Sequence, residues 1–339
     1  MIKKYAAGAV TVLILIVFYL VIGRLYEYAA GQNKINDYNR QRFEDFYSTP
    51  NDSLDWVFLG SSHAYCTFDP AQFDAAGIAS FQMGMPLQTM DSTYFTLLEI
   101  LKTQRPDTVV LDVYWYVLEQ DFEVKQMEML FQVMRDENFK KQYLSEVLPW
   151  NERIKYTLKP VRYQADFLAF ANTKLLNVMQ HTFGLKKTEN YTPGEEFYQG
   201  RGYVHFDYTM SDSAYSNIAE EPIADMQNWK IAASQQKYLD KIVACCKDND
   251  IRLILTVAPV SNVRFSRIKN YAAFSGYISD YAARNGLRYL DFNTVNAADA
   301  LFDDDCFFDG NHLNIRGVEI ADAYFLEWLS LKSRLCKLV

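Results

Sequence analysis

What this chain lacks narrows its function before any motif is considered. It has no cysteine framework: Cys66, Cys245, Cys246, Cys306 and Cys336 make an odd five, with no C-x-x-C spacing. That excludes a zinc ribbon and a disulfide-stapled scaffold. Buried free thiols are the expected state, with a Cys66–Cys306 bridge as the alternative. Basic surplus is missing too, because 34 Lys and Arg face 42 Asp and Glu for a net charge of −8. Nucleic acid is therefore excluded as the partner, since no excess of cations exists to neutralise phosphates. Histidines number only four, His63, His181, His205 and His312, and no two stand at a metal-ligand spacing. No metal and no other cofactor is expected. No internal repeat or low-complexity tract is present.

Charge is also absent from residues 5 to 23, YAAGAVTVLILIVFYLVIG. As a helix this run spans about 28 Å, close to the ~30 Å hydrocarbon core of a bilayer. Lys3 and Lys4 precede it and only Arg24 follows directly, which keeps the short N-terminus in the cytoplasm. A cleaved signal peptide is the competing reading. It would need cleavage after Ala30 with Tyr28 two residues earlier, where a small residue is required. The expectation is a single-pass anchor in the cell membrane within residues 1–31, with the remainder outside the cytoplasm.

Residues 32–54 are polar and read as a helical linker ending at "STPNDS". Five short apolar runs follow: Trp56–Leu59, Ile78–Gln82, Thr108–Val113, Arg252–Ala258 and Leu287–Leu290. Helical patterns separate most of them. One is "QQKYLDKIVACCKDND", which puts Tyr238, Ile242 and Cys245 on one face. Apolar runs alternating with helices indicate an α/β fold, a parallel sheet of about five strands covered on both faces. The stretch from about 117 to 235 is too long for one crossover and reads as an insertion, helical at first and then loop-like. It divides the third strand from the fourth within a domain of residues 55–339. Open α/β sheets bind ligands at the carboxyl ends of their strands. "WVFLGSSHAY" puts Ser61, Ser62 and His63 at the end of the first run.

Near the other end lies "FFDGNHLNIRGVEIADAYFLEWL". Asp309 and His312 stand three apart in a turn, and Asn314 is placed to cap the helix that follows. One turn can aim both side chains at one point. The carboxylate then holds Nδ1–H of the imidazole and leaves Nε2 free as a base. A strand-end serine needs that partner, because an isolated hydroxyl is a poor nucleophile at neutral pH.

In this order the motifs resemble those of the SGNH (GDSL) hydrolase superfamily, over roughly residues 55 to 330. "GSS" stands where the family has G-D-S, which implies that Ser62 is the nucleophile. The terminal "DGNH" supplies Asp309 and His312. "SFQMGMP" matches the family's second block at Gly84, whose N–H would join that of Ser62 in an oxyanion hole. The resemblance implies a three-layer, flavodoxin-like fold. The third block departs from the pattern: "VVLDVYWYVL" carries Asp112, Tyr114 and Trp115 where the family has G-x-N-D. Loss of one oxyanion donor raises a barrier by roughly 2.7–4 kcal/mol. Tyr114 is the nearest substitute.

With the anchor and the "GSSH" variant, the sequence looks most like membrane-anchored bacterial cell-surface proteins, among them the D-alanyl transfer proteins of teichoic acid. That likeness implies an O-acyltransferase acting on an exported polysaccharide or teichoic-acid-like polymer, beside a membrane-bound O-acyltransferase. An esterase for the same polymers and a catalytically weak polymer-binding partner are the alternatives. His63, Arg201 and Tyr203, the last two in "QGRGYVHFDY", are candidate substrate contacts.

Overall fold

The computed structural model describes residues 2–30, 37–121, 124–164, 167–168 and 196–335. His181 and Cys336 lie outside them. Two compact units divide the chain: residues 1–40 with 127–191, and residues 41–126 with 192–339.

The larger unit is built on a five-stranded sheet, in spatial order β2 (Ser80–Gln82), β1 (Trp56–Leu59), β3 (Thr108–Asp112), β7 (Arg252–Val257) and β9 (Arg288–Asp291). Every pairing is parallel. The five expected runs are these strands: the first matches residue for residue, the next three are shorter by one or two residues, and the last is shifted by one to end at Asp291. Numbered along the sheet alone the order is 2-1-3-4-5, the doubly wound arrangement whose chain reversal leaves a crevice at the carboxyl ends of neighbouring strands. Trp56, Val57, Phe58 and Leu59 are all buried, as expected for a strand covered on both faces. On one face Phe58 lies 4.8 Å from Phe68 and 4.8 Å from Phe73, and Phe325 closes the group 5.3 Å from Phe68. Each such ring contributes roughly 1.5–3 kcal/mol when fully buried.

Two smaller strand pairings belong to the same unit. β4 (Glu196–Gly200) and β5 (Tyr203–Phe206) form an antiparallel hairpin, and β6 (Ala224–Asp225) pairs with β8 (Ile268–Lys269). The hairpin turn lies against the outer edge of β2, where Gln82 N–H donates to the Arg201 carbonyl at 2.9 Å. A covered edge strand is protected from pairing with another chain. Gly202 makes the approach possible: its φ is +84°, and a Cβ there would lie 1.7 Å from the Gln82 carbonyl oxygen.

The segment read as a linker contributes to this core. The helix Asp37–Ser48 buries Phe43 and Phe46, and Phe46 meets Phe81 of β2 edge-on at 5.7 Å. Arg42 is buried beside them and donates Nε–H to the Gly202 carbonyl at 3.0 Å. The interval read as one insertion is split: 127–191 belongs to the smaller unit, whereas the hairpin, the helix Asp212–Glu220 and β6 belong to the larger.

The smaller unit holds one long helix, Ile2–Ala30, with the apolar stretch Tyr5–Ala29, long enough to cross a membrane. It also contains the helices Val124–Val133 (from Met127 onward), Glu137–Val147, Trp150–Thr157 and Lys159–Arg162.

Candidate active site

The chain leaves β1 through Gly60, whose φ of +135° is closed to side-chain-bearing residues. A Cβ there would meet Asp112 Cβ at 2.9 Å and the Asp112 carbonyl oxygen at 3.0 Å. Glycine thus lets the turn press against β3 and lift the next residues above the sheet. Ser61 and Ser62 then take separate tasks. Ser61 is buried and caps the short helix Ser62–Tyr65, its Oγ accepting from His63 N–H at 3.3 Å. Ser62 is half-buried, and its Oγ lies 2.8 Å from His312 Nε2.

His312 arrives from the far end of the chain. Asp309 Oδ1 accepts the backbone N–H groups of Asn311 at 2.7 Å and His312 at 2.9 Å, which folds the "DGNH" turn back on itself. The same carboxylate meets His312 Nδ1 at 2.9 Å through Oδ2 and 3.1 Å through Oδ1. Burial pushes the Asp309 carboxyl up, but the His312 contact and those two N–H groups outweigh it and leave it below its ordinary value. Ionised Asp309 therefore holds Nδ1–H and turns Nε2 toward Ser62. Asn314 caps the following helix as expected, accepting Gly317 N–H at 3.2 Å.

The other expected residues divide. Tyr114 lines the cleft and stacks on His63 with ring centroids 3.7 Å apart. Burial raises its hydroxyl well above the ordinary tyrosine value, so it keeps its proton as a donor must. His63 is buried between Tyr114 and His312, the latter 4.9 Å away, and its Nδ1 has no hydrogen-bond partner among the described residues. Desolvation first, and then the charge of His312, hold its pKa well below 6.5, so the ring is neutral. Gly84 packs against the nucleophile turn, where an added Cβ would lie 3.0 Å from the Ser61 carbonyl oxygen. Its N–H, however, donates to Gln82 Oε1 at 2.9 Å rather than toward an oxyanion. Arg201 and Tyr203 are not brought to the site. Arg201 pairs with Asp74 at 2.6 Å, and Tyr203 is buried in the core by the hairpin that Gly202 seats. Cys66 and Cys306 are both free thiols.

Around Ser62 and His312 opens a cleft of about 390 Å³. Tyr114, Trp115, Tyr116 and Leu87 line it, together with Glu221, Arg264 and Arg267. Glu221 anchors both cations, taking a bidentate ion pair from Arg264 and accepting Arg267 Nε–H on its carbonyl at 2.9 Å. Sequence reading missed these three. Arg264 and Arg267 follow β7 at its carboxyl end, the position where the sheet rule looks for ligand contacts. Among the described residues no cluster of His, Cys, Asp and Glu is placed to hold a metal.

Asp112, at the end of β3, is wholly buried behind the turn. Its Oδ1 accepts Ala258 N–H at 2.8 Å, and its Oδ2 has no hydrogen-bond partner among the described residues. Burial pushes its carboxyl up to about 7, against the pull of the Ala258 bond. An unfolded aspartate titrates near 3.8, so between those values the folded chain keeps a proton the unfolded chain has lost. Stability then falls as pH rises across that window and levels off above it. Asp112→Asn removes this dependence. The stability difference between variant and wild type is expected to move in the variant's favour by about 3–4 kcal/mol from pH 4 to pH 8, read by thermal unfolding across that range.

No family model matches the chain, and no curated protein does. Among solved structures it is similar to a GDSL-like lipase from Bacteroides thetaiotaomicron VPI-5482, at 11% identity and a TM-score of 0.38, over 88% of this chain and 100% of that one. It is also similar to a provisionally assigned acylhydrolase from Bacteroides fragilis NCTC 9343. There the identity is 12% and the TM-score 0.39, over 89% of this chain and 99% of that one.

Proposed function

We propose that the protein is a serine acyltransferase that moves an acyl group, such as acetyl, through an acyl-Ser62 intermediate onto a hydroxyl of an exported polysaccharide or teichoic-acid-like polymer. The observation that carries this reading is the continuous chain from Ser62 Oγ to His312 Nε2 at 2.8 Å and from His312 Nδ1 to Asp309 at 2.9 Å. Ser62 Oγ attacks the acyl carbonyl while His312 Nε2 takes its proton. The tetrahedral oxyanion collapses, the leaving alkoxide takes the proton from His312, and the acyl group stays on Ser62. An acceptor hydroxyl then repeats the sequence in reverse, losing its proton to His312 and receiving the acyl group. Ser62 N–H and the protonated Tyr114 hydroxyl are the proposed oxyanion donors; the Gly84 N–H expected in that role donates to Gln82 instead.

Two features support transfer over hydrolysis. Tyr116 and Leu87 stand 47% and 48% exposed beside the catalytic serine, an apolar rim on which a sugar ring can stack. The N-terminal apolar helix, read as an anchor with its N-terminus cytoplasmic, keeps the enzyme near membrane-linked donors and a membrane-bound O-acyltransferase. A short tether of this kind raises effective concentration to the millimolar range, on the order of 1 mM. The test supplies an activated acetyl ester with and without a polysaccharide acceptor and follows free acetate and acylated glycan together. Acylated glycan is expected to form only with intact Ser62 and to displace acetate release. Acetate release that ignores the acceptor and vanishes in Ser62→Ala would make the protein an esterase.

A further inference from the structure

In the smaller unit the long N-terminal helix changes character along its length. From Tyr5 to Val21 every residue is exposed: Val10, Leu13, Ile14, Leu15, Phe18 and Leu20 are each more than half exposed. At Gly23 protein contact begins. Gly23 is buried, and a Cβ there would meet Lys159 Cβ at 3.4 Å and Pro160 Cδ at 4.0 Å. Four residues on, the Glu27 carboxylate accepts two bonds from Lys159 Nζ, at 2.9 and 2.8 Å. Tyr26 stacks on Phe167 at 4.0 Å. The bare stretch, 17 residues from 5 to 21, is about 25 Å long, near the thickness of a hydrocarbon core. Packing therefore starts at the level where the lipid tails end.

The segment docked at that level carries an exposed apolar stripe. Trp150 is 71% exposed, Ile154 58% and Leu158 43%. At spacings of four they fall within one side of the helix Trp150–Thr157 and its C-terminal residue, while Tyr156 on the opposite side is buried. Lys155 stands half-exposed beside the stripe, and Leu168 adds a further side chain 60% exposed. A tryptophan and aliphatics beside a cation form the composition that settles at a membrane–water interface.

We infer that the Trp150–Ile154–Leu158 face lies in the headgroup region of the bilayer, as a second membrane contact beside the anchor. The occupant is lipid, because the segment carrying the face docks at Gly23 and Glu27, directly where the exposed apolar run of the anchor helix ends. The inference rests on the anchor reading of residues 5–23. It goes beyond the catalytic proposal, since it gives the smaller unit its own task.

The test uses the full-length chain in phosphatidylcholine–phosphatidylglycerol vesicles free of other protein. Lipids brominated just below the headgroup, or near the chain ends, serve as quenchers of tryptophan emission. The expected result is strong quenching by the shallow bromines and weak quenching by the deep ones. In Trp150→Phe, a change at an exposed position, the shallow quenching should be lost. Alkaline carbonate extraction of the same vesicles separates the two possible failures. A chain that carbonate removes overturns the anchor reading. A chain that stays with the membrane while Trp150 remains unquenched overturns the lipid contact alone. If Trp150 is open to iodide in lipid vesicles but shielded in native membranes, the occupant is a membrane protein and the lipid assignment is wrong.

Discussion

Replacing Ser62 by alanine is expected to lower acyl transfer by about ten-thousandfold or more, and His312→Ala by a similar factor. The two changes together should cost no more than either alone, because the hydroxyl and its base act as one unit. Asp309→Asn should also lose about ten-thousandfold with the fold intact, since an amide at that place favours the wrong imidazole tautomer. A serine-directed fluorophosphonate followed by peptide mass spectrometry reads the same geometry without a known substrate. The adduct should sit on Ser62, whose Oγ lies 2.8 Å from the base, and labelling should fall sharply in His312→Ala. Ser61 should stay unmodified because its Oγ is buried as the acceptor of His63 N–H. An adduct on Ser61, or undiminished labelling of His312→Ala, would refute the assignment.

The largest loss of stability is expected from Phe58→Ala. The ring is fully buried between Phe68 and Phe73, and Phe→Ala changes at such sites cost about 3–5 kcal/mol. Against the roughly 5–15 kcal/mol that holds a typical domain together, this is about a fifth of the total or more. The neighbouring rings cannot close the gap, because Phe58 is fixed by parallel pairing on both sides, to Gln82 and to Val110. A lower unfolding temperature in a thermal melt checks it. Activity measured well below that temperature should change much less, since Ser62 sits on the turn beyond Gly60 and Asp309 and His312 on a separate turn outside the strand. An unchanged melting temperature would show that this aromatic cluster does not carry the core.

Both features could be read from the chain because they are local or strongly patterned. A buried parallel strand writes itself as a short apolar run, so β1, β3 and β7 were legible within a residue or two. Asp309 and His312 sit in one turn, and their pairing needs only that turn. The failures have a common physical origin in long-range contacts. Arg201 and Tyr203 lie in a glycine-containing loop that could face anywhere; the close approach of Gly202 to Gln82 decides their place. Phe43 and Phe46 occupy a segment polar enough to pass for a tether, although their three-residue spacing marks one helix face. Gly84 was legible as a neighbour of the nucleophile turn, but the Gln82 carboxamide that takes its N–H was not. The Glu221–Arg264–Arg267 cluster joins residues more than forty positions apart, and nothing in either segment announces the other.

The nucleophile and its base are separated by 250 positions in the chain. During synthesis the ribosome delivers Ser62 well before His312, so every nascent chain that ends between them carries a serine without His312 to take its proton. The apolar helix Tyr5–Ala29 precedes both. On the reading proposed above, a polypeptide stalled or cut between residues 62 and 309 holds the nucleophile without its base and is chemically inert. Competence on that reading comes only once the turn bearing Asp309 and His312 has been made, and fragments lacking it should not consume activated acyl donors.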